Sequence, residues 1–151
     1  MSKQLITVIT ILFCAFGSIQ AQQSSEKIKA LKIAFFTERI GLSSEEAEIF
    51  WPLYNDYQER RQQLMQQEKR DVRDKIGAGG YSESQANTIL KRYLELEEQQ
   101  EELDKTFYQT LSERMSATKV LKLFQAEHEF RRRMLREYRN RRGQNGGHPI
   151  P

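Results

Sequence analysis

Apolar residues recur along this chain at three- and four-residue intervals, the period of an amphipathic helix, and no segment alternates for long enough to argue a strand. Four helical segments follow. The first covers about 26–40, with Ile28, Leu31, Phe35 and Ile40 on one face and Gly41 as its C-terminal stop. The second opens with Leu42-Ser43-Ser44-Glu45-Glu46, where Ser43 caps the helix, Glu46 completes a capping box, and Leu42 and Ala47 form a hydrophobic staple. It continues through Phe50, Trp51, Tyr54, Tyr57, Leu64, Glu68, Val72 and Ile76 to the breaker Gly77-Ala78-Gly79-Gly80. That span is roughly 50 Å long at 1.5 Å per residue.

The third helix restarts with a second box, Ser82 to Gln85, and a staple from Tyr81 to Ala86. Its inward positions, Ile89, Tyr93, Leu96, Gln100, Leu103 and Phe107, follow a heptad seam with one polar member. The fourth begins at Met115-Ser116, with Ser116 as N-cap and Lys119 where a box needs Glu or Gln. The expected stripe on it is Leu121, Phe124, His128, Arg131, Leu135 and Tyr138. The fold class is therefore all-α: four helices, two of them long, antiparallel and joined at the glycine-rich turn into an elongated hairpin. Pro52 lies inside the second helix, where its ring meets the carbonyl of Glu48 and predicts a bend. Two helices this long leave one broad face uncovered, which points to self-association or a binding groove.

The ends differ from this pattern. Residues 1–21 read as a secretory signal, with Lys3, an apolar run from Leu5 to Phe16 and small residues before cleavage after Ala21. Retention as an anchor is the alternative. The helical domain then spans 22–142, and 143–151, rich in glycine and proline, reads as a flexible tail. The single cysteine, Cys14, falls within the leader, so a processed chain has no thiol for catalysis or metal binding. With a mean hydropathy of −0.75, a polytopic membrane protein is excluded.

The residue inventory argues against catalysis. Gly77-Ala78-Gly79-Gly80 lacks the Lys-Ser/Thr of a phosphate loop, and only His128 and His148 could serve a triad. No His-x-x-x-His or Glu-x-x-His pair is present, so no metal site and no cofactor is expected. The aromatic cluster Phe35, Phe36, Phe50, Trp51, Tyr54 and Tyr57 reads mainly as core. Neighbours on a helix diverge, however, so one member of each adjacent pair should face a second surface, with Phe36 and Trp51 as the candidates. Charge concentrates at the end of the fourth helix, where Arg131, Arg132, Arg133, Arg136, Arg139, Arg141 and Arg142 face only Glu137 within 131–142. An exported protein rarely meets nucleic acid. An acidic protein, anionic lipid headgroups or plain compensation of the helix dipole remain as readings, with Arg131, Arg132, Arg136 and Arg139 as the candidate binding residues.

Leu42-Ser43-Ser44-Glu45-Glu46 followed by Phe50-Trp51-Pro52-Leu53-Tyr54 resembles the first signature of the Spy/CpxP-like periplasmic proteins. It is closest to the Bacteroidetes branch called sensors of ECF-type sigma factors, or periplasmic heavy-metal sensors. The family signature, Leu-Thr-x-x-Gln, comes twice; here the second copy is Met115-Ser116-Ala117-Thr118-Lys119. The resemblance covers nearly the whole exported chain. It implies a bent, cradle-shaped hairpin that forms an antiparallel homodimer in the periplasm. Family members restrain an envelope-stress sensor, hold unfolded clients without ATP, or sense metals through His-rich sets that this sequence lacks. The expected function is a non-enzymatic envelope-stress sensor that binds a membrane-associated partner, with an ATP-independent chaperone as the alternative and a metal-binding sensor third.

Overall fold

The computed structural model describes residues 26–145, with side chains through residue 140. The expected signal segment 1–21 and residues 146–151 of the expected tail lie outside the described residues. Among the described residues the chain is all helix, with no strand. Helix α1 spans 26–40 and ends where Gly41, at φ 71°, donates its N–H to the carbonyl of Thr37 at 3.1 Å. That left-handed conformation suits a residue without Cβ.

Helix α2, Ser44–Glu68, passes without interruption into a π-helical turn, Lys69–Arg73, and then α3, Asp74–Ala78, so one rod runs through all three. Pro52 sits within α2, and the helix continues on both sides of it. Gly79 and Gly80, at φ 66° and 69°, reverse the chain. Helix α4 covers Glu83–Arg114 and α5 Ala117–Asn145, three residues past the expected boundary at 142.

Both expected capping boxes are formed. The Ser43 N–H donates to Glu46 Oε2 at 2.8 Å and the Glu46 N–H to Ser43 Oγ at 3.2 Å. Ser82 and Gln85 make the same reciprocal pair at 2.8 and 3.3 Å. At the third start, the Lys119 N–H donates to Ser116 Oγ at 3.3 Å. Lys119 cannot return a bond as Glu would. Its ammonium reaches back instead to Glu46 Oε2 at 2.9 Å, which ties the start of α5 to the start of α2.

The chain forms two compact units. Residues 42–122 make the hairpin unit; the described residues up to 41, with those from 123 onward, make the other. In the hairpin, α2 and α4 run antiparallel: Tyr57 meets Asp104 and Phe107, while Arg92 meets Gln67 and Asp71. The Tyr57 and Phe107 rings stack with centroids 4.0 Å apart and planes 4° from parallel. The Tyr57 hydroxyl donates to Asp104 Oδ1 at 2.7 Å, and Gln100 Nε2 donates to the same oxygen at 2.8 Å. Burial is the main reason the Tyr57 hydroxyl resists ionisation well beyond the usual phenol range.

In the other unit, Phe36 of α1 packs edge-on against Phe130 of α5, with centroids 5.8 Å apart. Two expected stripes are displaced here. On α1 the buried pair is Phe36 and Ile40; Phe35 is half-buried, and Ile28 and Leu31 are exposed. Along the whole of α5, among the described side chains, the buried positions are Val120, Leu123, Ala126 and Phe130, each one residue before an expected position except Ala126, which lies two before His128. The expected stripe would have buried the His128 imidazole and the Arg131 guanidinium, whose desolvation opposes it. The alternative face carries no polar group. Leu123 is fully buried while Leu121 is 60% exposed.

Candidate functional site

Two concavities stand out, one in each unit. The first, in the unit of α1 and the later part of α5, is a cleft of about 520 Å³ lined by Phe35, Arg39, Glu129, Arg132, Arg133 and Arg136. Helical spacing explains the convergence. Phe35 and Arg39 lie one turn apart on α1; on α5, Glu129 and Arg136 each lie three or four residues from the adjacent pair Arg132 and Arg133. The Arg39 guanidinium lies over the Phe35 ring, 5.4 Å from its centroid, and its Nε is 3.2 Å from Glu129 Oε2. Arg133 Nε lies 3.4 Å from Glu137 Oε1. Among the described residues, Arg132 and Arg136 have neither an ion-pair nor a hydrogen-bond partner. Their forks are open to an anion that can accept from both.

The structure thus brings two of the four candidate arginines, Arg132 and Arg136, into one cleft. Arg139 is exposed and extends the same helical stripe by one turn, whereas Arg131 is exposed and one residue off it. Arg39 and Phe35 are the contributors that sequence reasoning missed. They come from another helix; for Phe35 the divergence of the adjacent pair Phe35 and Phe36 was a signal read onto the wrong member, and Arg39 was marked only as a cation four positions after an aromatic residue. Phe36 is removed from the candidate binding residues: it is 1% exposed, because the α1–α5 contact takes it as core and leaves Phe35 at the cleft. Trp51 is half-buried and lies edge-on to Phe50, with centroids 4.9 Å apart. Leu42, Met115 and Ser116 are half-buried at the helix junctions they were expected to mark.

The second concavity, about 370 Å³, lies at the glycine-turn end of the hairpin. Val72, Ile76, Tyr81, Ile89, Leu90 and Tyr93 line it, and Glu68 and Arg73 stand at its edge. Tyr93 was expected in the helix seam. It is exposed because the seam opens towards the turn, while Leu96, Leu103 and Phe107 further along are buried. The π turn Lys69–Arg73 sits beside this groove. Ion pairs spaced by five residues cross it, Glu68 with Arg73 at 2.7 Å and Lys69 with Asp74 at 2.8 Å. Such spacing suits a π turn, whose backbone bonds join residues five apart.

No group of three or more His, Cys, Asp or Glu side chains able to hold a metal occurs among the described residues. No helix among them is long and apolar enough to cross a membrane. Comparison of the chain with known protein families, curated proteins and solved structures finds no match. The likeness to the Spy/CpxP-like proteins therefore rests on its motif residues.

Proposed function

We propose that this protein is a non-enzymatic regulator of envelope stress, exported to the periplasm, that binds a membrane-associated partner through its arginine-rich face. The observation that carries this reading is the cleft between α1 and α5. It offers two uncommitted guanidinium groups, Arg132 and Arg136, beside the half-buried Phe35 ring. Such a surface selects and orients an anionic partner, and it supplies no nucleophile or acid–base pair. The motif resemblance adds a sigma-factor system as the setting in which such a regulator would act. Pairing with a second copy belongs to the same reading. Leu90 and Leu94, one turn apart on α4 and both exposed, support it.

A second reading, an ATP-independent chaperone, is favoured by the apolar groove at the hairpin turn, whose Ile76, Tyr81 and Leu90 are open to solvent. Regulators have one specific partner, whereas chaperones tolerate many clients. Light scattering from aggregating proteins separates them, with residues 22–151 added without ATP. The regulator reading predicts no suppression across unrelated clients at near-stoichiometric ratios. Broad suppression would replace it with the chaperone reading and move the site to the groove.

A further inference from the structure

The arginine cleft carries more cation than its helix can use. Arg132 and Arg136 are four residues apart, a spacing at which like charges repel. Dipole compensation does not account for them. Helix α5 continues to Asn145, nine residues beyond Arg136, about two and a half turns. The dipole effect is confined to the last turn. Internal pairing does not account for them either, because Glu129 and Glu137 are met by Arg39 and Arg133. With Glu129 in the cleft and Glu137 beside it, four guanidinium groups against two carboxylates leave a surplus of two positive charges, on Arg132 and Arg136.

We propose that this cleft binds a phosphate monoester, the headgroup of a phosphorylated lipid. The proposal rests on the regulator reading in placing the exported chain where lipid is within reach. A surplus of two charges matches a monoester, which carries between one and a half and two negative charges near neutral pH and offers three acceptor oxygens. A lone carboxylate would leave one guanidinium uncompensated. The amphiphilic character of the ligand follows from α1. Ile28, Leu31, Phe35 and Arg39 follow one another at intervals of three, four and four residues, so they share a helical stripe. Ile28 is 48% and Leu31 44% exposed. An acyl chain lying along Ile28 and Leu31 would place its phosphate at Arg132 and Arg136, beside the Arg39–Glu129 pair.

Co-sedimentation of residues 22–151 with phosphatidylcholine vesicles tests this. One set is doped with phosphatidic acid, a monoester; the other is brought to the same surface charge with phosphatidylglycerol, a diester. Preference for the monoester by about tenfold is expected, the size of one good charge-assisted contact. The Arg132→Gln, Arg136→Gln double variant should lose that preference at unchanged helicity. Arg131→Gln with Lys91→Gln, equal in charge but off the cleft, should keep it. Equal binding to both vesicle types, or equal loss in both double variants, would reduce the effect to general electrostatics and overturn the site. Inorganic phosphate binding at the cleft without monoester preference on vesicles would overturn the lipid. Should that preference be absent while the Arg132/Arg136 variant still loses a protein crosslink in the envelope, the lipid assignment falls and the regulator reading stands. Loss of neither would remove both.

Discussion

Lys119 takes the place of the Glu or Gln that would complete a capping box, and the fold gives it a different use. Its ammonium bonds the carboxylate of Glu46, which already accepts the Ser43 N–H. The Ser43 N–H and then the Lys119 ammonium hold the Glu46 carboxyl below its ordinary value of 4.5; Lys122 assists. Because Glu46 titrates lower in the fold than in the unfolded chain, its contribution is complete above that ordinary value. It disappears as the pH falls through the lowered one. The Glu46→Gln variant keeps the cap, as Gln85 does in the second box, and removes only the charge. Thermal midpoints followed from neutral pH to about 3 should fall more steeply for the parent protein than for Glu46→Gln. Parallel curves would show that the Lys119 bond contributes nothing. Ser43, Glu46, Ser82 and Gln85 were all legible in the sequence, since a capping box is a local pattern. The Lys119–Glu46 bond joins residues 73 positions apart and was not.

The helices themselves were legible from their period, and their inward faces less so. On α5 the expected stripe and the buried one lie one or two residues apart, and periodicity alone does not rank them. The buried set is the one without a charge to desolvate. Leu123→Ala should therefore cost about 3 kcal/mol in denaturant unfolding, and Leu121→Ala no more than about 0.5 kcal/mol. Equal costs would mean that the buried face is assigned wrongly. The π turn had a signal that went unread. Leu64, Glu68, Val72 and Ile76 recur every four residues, a spacing that drifts around an α-helix but is brought back by one wider turn. Charges of opposite sign also fall five apart, at Glu68/Arg73 and Lys69/Asp74. Among the cleft residues, the arginine run on α5 was visible as composition. The choice of Arg132 and Arg136 over Arg131, and the recruitment of Phe35 and Arg39, depend on which faces of α1 and α5 meet.

At the scale of the molecule, the described chain is all helix, and the proposed function has it work by binding. Each unit has its own concavity, cationic in one and apolar in the other. The cationic cleft is where the proposed function places the partner, and a regulator with one partner should give one answer when that cleft is probed in place. The most direct measurement is photo-crosslinking in intact cells from a reactive residue substituted at Arg139, one turn beyond Arg136 on the same stripe, where both open guanidinium groups are left in position. A single envelope protein crosslinked from position 139, absent when Arg132 and Arg136 are also replaced by Gln, is the predicted result. A ladder of unrelated adducts, or the same adduct with both arginines replaced, would contradict the account.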